Sequence, residues 1–256
     1  MIVVIGALFP VFAVVVIGFI LKRMEFPGDA FWPYSDRLTY FVLFPALLIN
    51  KLAVANLDRP ELLPMMGVLF AAILTISVLI WSVKPLISWD NASHTSVLQG
   101  SIRPNTYIGL AGASALFGTD GLALTAIALA SVIPLVNVIS VLGFAQWVPS
   151  NSPSPARVLR SILTNPLIVA CAVGLTINFS GLGLPSAFTS LTDVIGRAAL
   201  PMGLLSVGAG LQVRALGKYW GALTLSSLLT LVGLPLHAYA LGSYFSLEGL
   251  PLASVV

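Results

Sequence analysis

Residues 100–110 read GSIRPNTYIGL, and they sit where the hydropathy pattern of the chain demands a membrane-spanning segment. Arg103, Pro104, Asn105 and Thr106 are a poor choice for hydrocarbon. Proline lacks a backbone donor and its ring clashes with the carbonyl four residues back, so a helix passing through Pro104 kinks or breaks. An Arg at membrane depth costs at least roughly 2.5–3.5 kcal/mol even on the lenient insertion scale. Non-helical backbone at that depth is tolerated only where it is buried in protein or lines a wet cavity. The tetrapeptide therefore predicts a broken helix beside a cavity.

The surrounding chain has 256 residues, 58% of them hydrophobic and 8% charged, against about 25% charged in soluble domains. A span needs about 20 mostly apolar residues, and such stretches fill nearly the whole sequence. The fold class expected is an all-α polytopic membrane protein. Eight spans are predicted, at 2–21, 37–56, 61–82, 94–117, 121–147, 161–180, 188–213 and 219–245. The first has no basic residue before it and Lys22-Arg23 directly after it, the reverse of a cleavable signal peptide, so it is read as a retained span.

With the N-terminus outside, Lys22, Arg23, Arg37, Lys84, Arg157, Arg160, Arg214 and Lys218 lie at cytoplasmic ends. Lys51 and Arg59 are left outside, and Arg103 and Arg197 fall within spans. This is a positive-inside bias. The net charge of +3 thus reports topology, and no nucleic-acid partner is expected. The location expected is the bacterial inner (plasma) membrane. The one cysteine, Cys171, lies in an apolar span, so an intrachain disulfide is excluded.

A Pro/Ser-rich run, VPSNSPSPARVLR, forms a cytoplasmic linker over 148–160 and divides the chain into 1–147 and 161–256. The two parts share a register. An offset of 156 residues, the distance from Pro10 to Pro166, also superposes Gly18 on Gly174 and Pro45 on Pro201. It lays FPALLINKLA (44–53) over LPMGLLSVGA (200–209). Weak internal similarity of this kind marks transporter repeats. Each unit would hold five spans, an odd number, so the second inserts upside down relative to the first. The counterparts of Pro104 and Asn105 would fall near 260 and 261, past Val256. The expectation is accordingly a chain with about eight of ten spans, cut short before its second broken helix.

At such a break, half-helix N-termini aim their positive dipole ends at anionic groups near the midplane. The Asn105 amide, the Thr106 and Tyr107 hydroxyls and the freed backbone groups would form the donor cluster, so an anion is the natural guest. Arg103 offers a planar fork suited to carboxylate, but a structural ion pair or snorkelling serves it equally, and both roles stay open. Asn105, directly after the proline, is read as ligand-facing.

FPALLINKLA, GSIRPNTYIGLAGASALFG, TNPLIVACAVGL and ALPMGLLSVGAGL resemble, in order and spacing, the landmarks of the auxin efflux carrier family, which includes plant auxin exporters and bacterial malate or malonate permeases. The resemblance covers residues 1 to about 245. Its most specific element is Pro104-Asn105-Thr106-Tyr107, matching the plant Asn-Pro-Asn-Thr-Tyr motif from its second residue onward. Arg103 replaces the first Asn, so the plant substrate does not carry over. The resemblance implies two inverted five-helix repeats whose broken helices cross at the middle, as in the bile-acid-symporter-like fold. It further implies a scaffold built from the first two helices of each repeat and a transport domain from the other three, with substrate beside the crossover.

Asn50 lies on a scaffold helix that either faces substrate or glues helices together. Asp193 and Arg197, one turn apart, form an i, i+4 ion pair or a proton or substrate relay. His237 is expected to be a satisfied buried histidine, and His94 a solvated interfacial one. Gly109, Gly112 and Gly118 are expected to permit close helix approach. No catalytic residue, metal ligand set or cofactor is expected, since no H-E-x-x-H, paired C-x-x-C or phosphate-binding G-x-x-x-x-G-K-[ST] occurs. The chain is thus expected not to be an enzyme.

The function expected is secondary transport of small organic anions such as dicarboxylates by alternating access around Pro104-Asn105. A sodium- or proton-coupled symporter or antiporter of the same architecture is the alternative, and an intramembrane hydrolase the second. The expected partners are the anion and the lipid bilayer, with a homodimer also open.

Overall fold

The computed structural model describes residues 2–55, 60–87, 89–147, 154, 156, 159–160, 163–211 and 220–255, and every regular element among them is helical. Most of the 148–160 linker lies outside the described residues, as do Arg59, Arg157, Arg214 and Lys218.

Helix α1 (Ile2–Arg23) is followed by α2 (Phe31–Leu38), a π-turn at Thr39–Leu43 and α3 (Phe44–Ala53). The joints at Leu38 and Phe44 keep helical backbone angles, so the second helical run is continuous from Phe31 to Ala53. It begins six residues before the span predicted from 37, and thereby takes in Asp36. The wide turn has a cause in Pro45. A proline crowds the carbonyl four residues back, here Phe41, and the π-turn opens the helix at that point. The same device recurs at Pro235, which follows a π-turn at Leu229–Gly233.

Helices α4 (Leu62–Val83) and α5 (Asn91–Ile102) come next. The Asp90 carboxylate caps α5 by accepting the Ser93 amide at 3.3 Å. The Ser93 side chain first, and its amide after it, hydrogen-bond the carboxylate, favour the ionised form and hold the carboxyl below the ordinary aspartate value. α5 stops at Ile102 because Arg103, preceding a proline, is driven to an extended conformation (φ −88°, ψ 114°). The chain resumes as α6 (Thr106–Trp147), which itself kinks at Gly118 (φ 65°, ψ −149°), a conformation glycine alone adopts readily. The predicted boundary between the fourth and fifth spans falls on this kink.

Helix α7 (Pro166–Ser180) starts with proline at its first position and Asn165 as cap, whose side chain accepts the Leu167 and Ile168 amides at 3.0 and 3.3 Å. Helices α8 (Ser186–Arg197), α9 (Ala199–Ala209), α10 (Trp220–Leu228), α11 (Leu234–Tyr244) and α12 (Gly249–Val255) complete the described chain. Three helical runs among the described residues are long and apolar enough to cross a membrane: Leu62–Leu86, Asn91–Phe144 and Trp220–Tyr244. The second contains the break.

The chain folds into two compact units that cut across the two sequence halves. The first comprises Met1–Asn56, Asn105–Ile127 and Thr164–Gln212. In it α1 packs on α9 and α3 packs on α7. These contacts are made through small residues. A Cβ on Gly18 would strike the Leu205 backbone, and one on Gly174 would meet the Ile49 backbone at 3.3 Å and Leu52 at 2.9 Å. Gly208 approaches the Val15 carbonyl as closely. Gly109 has open space around it and Gly112 only an ordinary contact. The close approach expected of Gly109, Gly112 and Gly118 is therefore made by other glycines, and Gly118 is instead a backbone kink.

The second unit comprises Leu57–Pro104, Ala128–Leu163 and Val213–Val256. Its core is built on one stripe of α4, Met65, Val68, Ala72, Ile76 and Ile80, packed with Leu98, Ile102, Val132, Val136 and Ala238. The spacing of three and four residues aligns that stripe on one helix face. Residues 105–127 gather with the first unit, where Ala111 packs with Val11 and Leu204.

Gly208→Val should lower stability by about 1–3 kcal/mol or more, because extra methyls meet backbone that cannot retreat. Gly109→Ala should leave the unfolding temperature in detergent unchanged. Equal effects would contradict the α1–α9 packing.

Candidate functional site

The break at 103–105 divides its side chains between the two units, and each is held differently. In the second unit Arg103, exposed, donates from Nη2 to the Asn137 Oδ1 at 3.0 Å. Asn137 sits on the far part of α6, so the guanidinium ties the end of α5 to that helix. Of its two sequence readings, the structural one has a named partner.

In the first unit Asn105 caps the new helix. Its Oδ1 accepts the Ile108 amide at 3.2 Å, and its own carbonyl accepts from Gly109 at 2.9 Å. Asparagine is favoured at this position because its side-chain oxygen satisfies a helix N-terminal donor. The cap uses only the oxygen. The amide nitrogen, exposed, has no partner among the described residues. Pro104 and Thr106 are half-buried beside it.

Tyr107 points the other way. Its ring stacks on Phe44 of α3 at 4.8 Å and 9° between planes, and its hydroxyl interacts with the Asp36 carboxylate of α2. Asp36 and Tyr107 are two walls of a cavity of about 350 Å³ within the first unit, closed further by Lys22, Trp32, Ser206 and the C-terminal end of α9. Lys22 is paired with Asp29 at 2.7 Å. The Trp32 indole N–H and the Ser206 hydroxyl are buried and have no partner among the described residues. On the same face of the second helical run, Ser35 and Thr39 also bury hydroxyls without partners, so a polar seam continues from the cavity between that run and α9. Buried polar groups are ordinarily satisfied by protein or ordered water.

Asn50 lies elsewhere. It is buried, and its Nδ2 donates to the Thr189 carbonyl at 3.1 Å and to Thr192 Oγ1 at 3.0 Å on α8. With both amide hydrogens spent it acts as glue between α3 and α8, and it is not brought to the cavity with Tyr107. Asp193 and Arg197 form the one-turn pair at 2.5–2.8 Å, and Lys51 of α3 approaches Asp193 at 3.9 Å. Arg197 is largely exposed, and a surface pair of this kind contributes little.

The two histidines differ from expectation. His94 is buried, with both ring nitrogens unpartnered among the described residues, packed against Trp89 and Trp147. It is a core aromatic, because the turn before α5 folds Trp89 over it. His237 Nε2 is likewise buried without a partner.

Asp36, Trp32, Ser206 and Asn137 are missed by sequence reasoning. Asp36 falls one residue outside the predicted span 37–56 and passes for an end charge.

Asn50→Ala should destabilise by about 1 kcal/mol, the loss of two hydrogen bonds to half-buried acceptors on α8, with ligand affinity unchanged in the folded fraction. Thermal unfolding and ligand titration on the same preparation separate the two. Lost affinity at unchanged stability would return Asn50 to the binding site.

Neither a scan against protein-family models nor a search of the curated proteins finds a match to this chain.

Proposed function

We propose that the chain is an integral membrane protein that carries small organic anions, such as dicarboxylates, by alternating access around the broken helix at Pro104-Asn105. The observation that carries the reading is the interruption itself. An apolar helical run from Asn91 to Phe144 stops for three residues, 103 to 105, and restarts with an asparagine cap. Such backbone belongs at membrane depth only beside protein or water, and the restarted helix would offer its N-terminal donors, and the Asn105 amide nitrogen that has no partner among the described residues, to an anion.

An inverted repeat is part of the proposal and has support of its own. The π-turn before Pro45 and the break at Ala198 before Pro201 stand at matching positions of the 156-residue register, and α3 and α9 end at Ala53 and Ala209, 156 apart. Contacts repeat in the same register. Gly18 lies on Leu205, and Gly174 lies on Ile49, so each glycine meets the counterpart of the other's partner. α1 on α9 and α7 on α3 are then one packing used twice about a pseudo-two-fold axis. Two five-helix repeats around a midplane site would follow, in the manner of the auxin efflux carriers that the Pro104–Tyr107 motif resembles. Large apolar side chains exposed along α1, α4 and α11, among them Phe12, Val78 and Leu236, suit a lipid boundary.

The test separates the cap from the amide. In proteoliposomes loaded with labelled succinate, Asn105→Ala and Asn105→Ser should both lose at least tenfold in flux, although Ser keeps a capping oxygen. Insertion and unfolding temperature of the Ser variant should stay near wild type. Normal flux in Asn105→Ser would reduce Asn105 to a cap and remove the site from the break.

A further inference from the structure

Two arginines, Arg103 and Arg197, fall within predicted spans, and their charges are met differently. Arg197 has a carboxylate, that of Asp193, one turn away. Arg103 has no carboxylate partner among the described residues. Its partner there is the side-chain oxygen of Asn137, at 3.0 Å. A neutral amide oxygen satisfies one donor and leaves the whole positive charge in place. Aspartate has nearly the same shape and would have cancelled it.

The pair is placed by the core of the second unit. Ile102 and Val136 are buried in one apolar cluster, and the residues that follow them, Arg103 and Asn137, meet at its rim. Pro104 holds Arg103 in extended backbone, so its side chain does not continue the face of α5. Arg103 is exposed and Asn137 half-buried. A guanidinium is a rigid planar fork of donors, so anchoring one Nη2 fixes the direction of the rest. Those remaining N–H groups have no partner among the described residues. An arginine in an apolar run that no acid neutralises is costly, and such side chains face water-filled space and mark the path of an ion.

We propose that Arg103 is the charge-selecting residue of the broken helix and Asn137 its positioning residue. Asn137 aims the guanidinium without neutralising it, and the unused edge of the fork donates paired hydrogen bonds to a planar oxyanion, the carboxylate of a small soluble acid. A lipid phosphate has the same chemistry. Arg103 comes twelve residues after Asn91, where the apolar run begins. At about 1.5 Å of rise per residue that is roughly 18 Å into a hydrocarbon core about 30 Å thick, which favours the soluble acid. The inference rests on the anion-transport reading and adds which charge recognises the anion.

The test is competition binding of labelled succinate against succinate and against its neutral diamide, succinamide, on the purified full chain in a maltoside detergent. Native mass spectrometry of the same samples counts bound phospholipid. The wild type should bind succinate at least tenfold more tightly than succinamide. Arg103→Gln should lose that preference by losing roughly tenfold or more in affinity for succinate alone, as for hydrogen bonds to a charged group. Arg103→Lys keeps the charge without the fork and should bind succinate several-fold more weakly. Asn137→Asp separates positioning from structure. It strengthens the tie to Arg103, so its unfolding temperature should not fall, yet it cancels the charge and should lose the preference as Arg103→Gln does. A purely structural pair predicts unchanged affinity in Asn137→Asp. If the wild type binds no small carboxylate, the transport reading and this inference fall together. If it binds succinate and either Arg103→Gln or Asn137→Asp keeps the preference, this inference alone is overturned. Loss of phospholipid from Arg103→Gln at unchanged succinate affinity would also overturn it and give the guanidinium to a headgroup.

Discussion

Pro104 has no amide hydrogen to give and no room for the carbonyl four residues before it. At the centre of an apolar run, that one constraint sets the structure on both sides of it. α5 must end, Arg103 must turn extended, and the next helix must find its own cap. Asn105 supplies it through the Ile108 amide, so two helices replace one and their ends need polar company. Arg103 is satisfied by Asn137 on one side of the break, and Tyr107 by Phe44 and Asp36 on the other. The side chains around one proline are thereby divided between two compact units.

The first unit shows how close packing and polar chemistry are combined. Where Gly18, Gly174 and Gly208 let backbones meet, close van der Waals contact holds the helices together, and at the end of the α7–α3 contact a polar side chain adds to it. Polar residues are then free for particular tasks. Asn50 ties α3 to α8, Asn178 donates to the Leu52 and Ala55 carbonyls at the end of α3, and the polar atoms of Trp32, Ser35, Thr39 and Ser206 have no protein partner among the described residues. Leaving several buried polar groups unpaired costs stability. Among the described residues of the first unit these atoms lie along one seam beside the cavity of Tyr107.

Local features are legible in the sequence and tertiary ones are not. Pro104 marks a helix break whatever surrounds it, and the kink at Gly118 separates two apolar runs that composition already divides. Which glycine meets a backbone is not legible. Gly109 and Gly112 look suited to close approach, but their faces lie in open space or ordinary contact, and nothing in their neighbours reveals it. Asn50 looks equally suited to substrate or glue because its partners, Thr189 and Thr192, lie about 140 residues away. His94 reads as solvated beside Asp90, yet Trp147, from a distant helix end, covers it. Asp36 escapes notice because hydropathy starts the helix six residues late, an error it invites where Trp, Tyr, Ser and Asp open a helix.

The central claim is that the helix break lines water and not lipid. Replacing Cys171, the sole and buried cysteine, leaves a background in which single cysteines can be placed from position 98 to position 111. Labelling in intact membranes with a charged, membrane-impermeant thiol reagent then reads water access residue by residue. Cysteines at 103 and 105, whose native side chains are exposed, should react, and those at 98, 102, 110 and 111, whose native side chains are buried, should not. Absence of labelling at 103 and 105, with the protein correctly inserted, would contradict the account.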